Sequence, residues 1–298
     1  KLSLKTDRNI SFTTNEGTWI SLDISPDGRN IIFDLLGDIY TIPFRGGPAK
    51  QITSGIAYDA QPVYSPDGRK IAFISDRGGS ENLWIANFDG SNPRQLSKIK
   101  NGMVCSPVFS NDGNYVYVSQ EKTWGLVTYE IWMYHVKGGS GVQVTKAKSK
   151  GYVNKMDPSK MLRHNALGVS LSRDDRYMYY ALKRGRWEYN AKFPLWQIAR
   201  RDMKTGHEDI ITSDEGSGMK PKISPDGKLL VYATRYKTET GLRIKNLEKG
   251  TDDWLIYPVT RDDQESRSSG GLFPTYDFTP GGKDIVFTKD GKIFKINI

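Results

Sequence analysis

The residues in this chain best suited to metal binding or nucleophilic chemistry are three histidines and one cysteine, and their spacing supports neither. His207-Glu208 opens like the helix motif of a zinc protease, but position 211 is Ile and the segment reads as a strand. His135 lies in the strand-like run Tyr134-His135-Val136 and is expected to be structural, whereas His164 falls in a basic stretch and stands as a candidate contact. Three scattered histidines do not make a zinc site. Cys105 follows Met103-Val104 and reads as a small buried hydrophobe. Gly138-Gly139-Ser140-Gly141-Val142 lacks the last glycine of a nucleophile elbow. No phosphate loop, dinucleotide fingerprint or EF-hand loop occurs. No catalytic residue, metal ligand or cofactor is therefore assigned to the chain.

Charge offers a clearer signal. The formal net charge is +9. Residues 146–164 carry Lys146, Lys148, Lys150, Lys155, Lys160 and Arg163 against Asp157, and residues 183–192 carry Lys183, Arg184, Arg186 and Lys192 against Glu188. Such a clustered excess suits docking of an acidic surface or an anionic ligand, and equally a solvated loop. Nucleic acid is disfavoured because no recognised nucleic-acid module is present. Aromatic residues lie among these cations, so the candidate binding set is Trp124, Tyr129, Lys148, Lys150, Arg163, His164, Lys183, Arg184, Arg186, Trp187, Tyr189, Arg235, Tyr236 and Lys237.

What positions these residues is a repeat. Ser25-Pro26-Asp27-Gly28 recurs as Ser65-Pro66-Asp67-Gly68 and Ser224-Pro225-Asp226-Gly227. Weaker copies are Ser110-Asn111-Asp112-Gly113, Ser172-Arg173-Asp174-Asp175 and Thr279-Pro280-Gly281-Gly282, making six. Proline presets φ, Asp bonds the backbone ahead of it and Gly accepts positive φ, so each copy is a tight turn and its aspartate is expected to stabilise that turn. A short apolar strand follows every copy, from Ile31-Ile32-Phe33 to Ile285-Val286-Phe287, and a third strand follows that, as in Asp38-Ile39-Tyr40 and Asn82-Leu83-Trp84. A fourth ends near 51–53, 95–97 and 143–145. Four short strands per unit and no helical periodicity define an all-β, six-bladed β-propeller of four-stranded antiparallel blades.

The expected blades are 19–54, 61–98, 105–146, 167–213, 219–260 and 273–298. The last lacks a fourth strand, and the segment 9–14 is expected to supply it and close the ring. Residues just before each turn (Asp23, Gln61, Ser106, Ser170, Lys220 and Thr275) should then line the channel. Loops joining second to third strands, and one blade to the next, share one face. The basic segments, with long loops expected at 119–129 and 234–241, put a basic and aromatic surface there. Functional groups commonly sit on loops held by a rigid scaffold.

These repeats resemble the TolB-like propeller repeats. The run from Glu16-Gly17-Thr18-Trp19 through Asp34-Leu35-Leu36-Gly37-Asp38-Ile39-Tyr40 to Ser75-Asp76-Arg77-Gly78-Gly79 resembles the N-terminal propeller region of bacterial proteins that carry a metal-dependent amidohydrolase domain further along. That resemblance implies a periplasmic or secreted binding module whose partner is another domain of the same polypeptide, with hydrolysis of carbon–nitrogen bonds done elsewhere. A stand-alone TolB-like module that binds an envelope protein is the second reading, and a propeller enzyme with a metal in its channel the third. No run of apolar residues is long enough to span a membrane as a helix.

Overall fold

The computed structural model describes residues 10–100, 102–121, 129–146, 164–184, 195–213, 215–261 and 273–298. Its strands fall into six antiparallel sheets. Blade 1 holds β1 (Leu22–Ile24), β2 (Asn30–Leu35), β3 (Asp38–Pro43) and β4 (Lys50–Gln51). Blade 2 holds β5 (Asp59–Tyr64), β6 (Lys70–Ser75), β7 (Asn82–Asn87) and β8 (Arg94–Gln95). Blade 3 holds β9 (Val104–Phe109), β10 (Tyr115–Glu121), β11 (Tyr129–His135) and β12 (Val142–Gln143). Blade 4 holds β13 (His164–Leu171), β14 (Tyr177–Arg184), β15 (Gln197–Asp202) and β16 (Glu208–Ile210). Blade 5 holds β17 (Met219–Ile223), β18 (Leu229–Tyr236), β19 (Glu239–Asn246) and β20 (Asp252–Arg261), and blade 6 holds β21 (Asp277–Phe278), β22 (Asp284–Lys289) and β23 (Lys292–Asn297). In each sheet sequence order is spatial order, as in a meander.

The repeated turn joins the first two strands of every blade. In blade 2, Ser65 Oγ donates to Asp67 Oδ1 (2.6 Å) and accepts from Lys70 N–H (2.9 Å), while Asp67 Oδ1 also accepts from Arg69 N–H (3.0 Å). These bonds hold the Asp67 carboxyl below its ordinary value. The same bonds recur around Asp27, Asp112, Asp174 and Asp226. Thus the recurrent aspartates hold the turns, as expected. Asp175 stands where the other copies have glycine and takes φ 54° itself.

The second strands, such as Ile31-Ile32-Phe33 and Leu230-Val231-Tyr232, are buried on both faces because each blade packs between two others. Residues 10–14 are exposed and form no strand, and the sixth sheet has three strands among the described residues. Thr14 Oγ1 instead bonds locally, donating to Glu16 C=O and accepting from Glu16 N–H, an alternative that competes with a ladder. One backbone bond, Gly17 N–H to Gly291 C=O (2.8 Å), ties this segment to blade 6. At the turns, Pro280 of blade 6 lies beside Gly28 of blade 1, as Pro26 lies beside Gly68 and Pro66 beside Gly113.

Candidate functional site

The first strands β1, β5, β9, β13, β17 and β21 are the innermost, and in four of them one residue breaks the ladder. Gln61, Ser106, Gly168 and Lys220 each stand four positions before their turn, and their φ values are 54°, 55°, 66° and 48°. The register shifts at these points, between Ala60 and Val63 and between Met219 and Lys222 for example, so each is a β-bulge. A bulge turns the backbone N–H out of the ladder, and a buried N–H needs another acceptor. The preceding blade supplies it. Gln61 N–H donates to Asp34 Oδ2 (2.8 Å), Ser106 N–H to Gln61 Oε1 (2.6 Å) and Gly168 N–H to Ser119 Oγ (3.0 Å). Two more bonds follow the same logic, Tyr64 N–H to Asp23 Oδ2 (2.7 Å) and Ile223 N–H to Ser170 Oγ (3.0 Å). The polar lining is therefore a clasp between blades.

The charged members sit in blades 5, 6 and 1. Lys222 Nζ lies 2.7 Å from Asp277 Oδ2, and Asp23 is next to that pair. Burial pushes the Asp23 carboxyl up to about 8, the neighbouring Asp277 adds to the rise, and Lys222 opposes it. Burial alone would lower the Lys222 ammonium, but Asp277 and Asp23 outweigh it and hold it above its ordinary value. Asp34 is pushed up to about 6 by burial against the pull of its two N–H donors. Lys220 is lowered to about 8 by burial. Its stem passes over Gly168 of blade 4, and its Nζ donates to Ser106 Oγ of blade 3 (2.8 Å). The Tyr276 hydroxyl of blade 6 donates to the Lys220 carbonyl. Asp23, Gln61, Ser106, Ser170 and Lys220 were legible as polar residues of the innermost strands. Asp34, Ser119 and Lys222 were not, and Lys222 and Asp277 share one signal, since both stand two positions before a turn.

Of the candidate binding residues, Trp124, Lys148, Lys150, Arg163, Arg186, Trp187 and Tyr189 lie outside the described residues. His164 opens β13 and pairs in register with Arg184, which is exposed at the end of β14. Tyr129 and Lys183 correct the expectation of a binding face, because each is only 2% exposed. Both belong to strands: Tyr129 N–H donates to Asn165 Oδ1 across the blade 3–4 junction, and Lys183 pairs in register with Asn165. The long loop expected at 234–241 is also replaced, since Arg235↔Thr240 and Tyr236↔Glu239 pairing carries the ladder to a hairpin tip at Lys237. Tyr236 is 52% exposed there, edge-on to Trp254 (6.3 Å) and Tyr257 (5.7 Å), with Lys237 Nζ 5.3 Å from its ring centroid. Arg235, half-buried, and Lys237 do share a strand end with it.

On the face that carries the blade-to-blade connections, Lys98, Lys100, Lys146, Arg184 and Lys237 are exposed. Among the described residues no group of three His, Cys, Asp or Glu is placed to hold a metal ion, and no helix is long and apolar enough to cross a membrane.

Six meandering antiparallel sheets around a polar, bulge-clasped centre define a six-bladed β-propeller. Residues 2–158 match the TolB beta propeller domain, and the chain belongs to that family. It is 29% identical over 204 residues to the uncharacterized peptidase YuxL of Bacillus subtilis, covering 68% of this chain and 26% of that protein. It is 26% identical over 284 residues to dipeptidyl-peptidase 5 of Porphyromonas gingivalis, covering 89% and 36% respectively. The Tol-Pal system protein TolB of Helicobacter hepaticus is 27% identical over 146 residues, covering 47% of this chain and 34% of that one. The chain thus spans about a quarter to a third of the curated relatives it matches. Among solved structures, TolB from Acinetobacter baumannii superposes with a TM-score of 0.65 at 16% identity, covering 93% of this chain and 60% of that one, a likeness of fold.

Proposed function

We propose that this propeller is an accessory module of a larger exported hydrolase acting on carbon–nitrogen bonds, and that its basic face docks the catalytic domain and frames access to it. The observation that carries the reading is the alignment of 89% of the chain with 36% of a dipeptidyl-peptidase, so that a whole propeller corresponds to a minority of a hydrolase. The sequence resemblance favours an amidohydrolase-type catalytic domain, while the names of two relatives carry a peptidase; both cleave the same class of bond. Export to the periplasm follows the TolB likeness. Exposed Lys98, Lys100, Lys146, Arg184 and Lys237 on one face support docking of an acidic surface, since long-range attraction both speeds and orients such an encounter.

The test is the mass of the native polypeptide, read by intact mass spectrometry or immunoblot of the source cells. A mass far above 33.6 kDa is expected. A native chain near 33.6 kDa refutes the reading and favours a stand-alone TolB-like module that binds an envelope protein. In the long form, Arg184→Glu with Lys237→Glu is expected to expose the segment joining the domains to limited proteolysis at moderate salt.

A further inference from the structure

A groove between blades 2 and 3 has a cavity volume of about 500 Å³ and is lined by Lys98, Lys100, Gln120, Trp132, Tyr134 and Ser140 among others. We propose that it is a binding site for an acidic sugar, with the sugar ring against the half-buried Trp132 and its carboxylate between the two lysines. The site stands independently of any catalytic domain.

The wall comes from alternation along one strand. Trp132 and Tyr134 are two apart on β11, so they share a face, and their rings lie 6.5 Å apart with 21° between planes. Trp132 is half-buried and offers the flat apolar surface that can cover the C–H face of a pyranose, while Tyr134, only 4% exposed, backs it from the core. The Tyr134 hydroxyl donates to Gln120 Oε1 (2.6 Å), which orients that amide and leaves its nitrogen to donate to a ligand. Ser140 adds a hydroxyl from the β11–β12 turn. That turn closes over the wall only because position 141 is glycine. Gly141 has φ +78°, and a Cβ there would lie 2.5 Å from the Tyr134 ring.

The charge is the second observation. Lys98 and Lys100 are exposed and make no ion pair among the described residues. They follow β8 in the connection to β9, with Ile99 between them packed against the apolar core, and both line the groove. Two unpaired cations beside a hydrogen-bonding, aromatic wall match a carboxylated sugar better than a neutral one. An acidic peptide is the competing occupant. An extended peptide gains most of its affinity by adding to an open strand edge, and β11 is paired on both sides, by β10 and β12. Recognition in this groove must come from side chains, which favours the sugar.

The experiment uses the 298-residue chain, with hyaluronan tetrasaccharide as the acidic probe and chitotetraose as a neutral probe of equal length. Binding is followed by calorimetry and by tryptophan fluorescence. Saturable binding of the acidic probe is expected, with at least tenfold weaker affinity for the neutral one. The double variant Lys98→Glu, Lys100→Glu, which alters only exposed side chains, is expected to lose binding tenfold or more. Trp132→Leu is expected to weaken both probes, with thermal unfolding checking that the blade survives. Equal binding of the two probes, unchanged binding by the lysine variant, or no saturation at millimolar sugar each overturns the proposal. Capture of an acidic peptide in place of the sugar overturns it too.

Discussion

Asp34 gives the most direct test of the inter-blade clasp. Its carboxylate on β2 accepts Ser21 N–H (2.7 Å) within blade 1 and Gln61 N–H (2.8 Å) from blade 2, and both donors are buried. Asp34→Ala strands two buried N–H groups, each costing about 1–3 kcal/mol, and relief of the buried carboxylate takes back part of that, leaving an expected loss of about 2–4 kcal/mol. Asp34→Asn keeps one acceptor and avoids the buried charge, so it should lose roughly half as much. Urea unfolding reads both as a lower midpoint at unchanged slope. The pH dependence supplies a second readout. Burial raises the Asp34 carboxyl from 3.8 to about 6, so the folded chain holds this proton more tightly than the unfolded chain. The stability it contributes is full below the ordinary carboxyl value and is lost as pH rises through about 6. Both variants should lack this fall. An Asp34→Ala chain within about 0.5 kcal/mol of the parent, a change typical of unconnected surface sites, would refute the clasp.

Three further outcomes follow from the same geometry. Lys220 is lowered to about 8, so stability should rise with pH between about 8 and its ordinary 10.5, and Lys220→Met, which keeps the stem over Gly168, should abolish that rise in a pH series of thermal melts. Cys105 is 1% exposed and its thiol is pushed up to about 12 by burial, so a thiol reagent at pH 8 should leave the native chain untouched and label one site once urea unfolds it. Gly141→Ala forces a Cβ to within 2.5 Å of the Tyr134 ring at φ +78°, and thermal unfolding should show a loss of about 1–3 kcal/mol together with weakened sugar binding.

The repeat alone determined the propeller. A Ser-Pro-Asp-Gly turn is a local object, closed by bonds within six residues, so its six copies could be counted without knowing what packs on what. The strand after each turn was equally legible, because a strand buried on both faces reads as an uninterrupted apolar run. Even the polar first-strand residues Asp23, Gln61, Ser106 and Lys220 followed from their distance to the turn. What the sequence did not reveal was how those residues are used. The bulges depend on an acceptor in the neighbouring blade, 27 residues away for Gln61 and Asp34 and 45 for Ser106 and Gln61. Lys183 and Tyr129 looked like loop residues because β14 runs on to Arg184, past the run ending at Tyr180, and β11 begins at Tyr129, ahead of the run starting at Glu130. Of the N-terminal segment expected to complete blade 6, residues 10–14 are exposed and form no strand, and Thr14 bonds to Glu16 two residues away. The groove beside Trp132 shows the same division. Its aromatics lie on β11, but its lysines come from the connection leaving blade 2, and only the stacking of one blade on the next brings the two together.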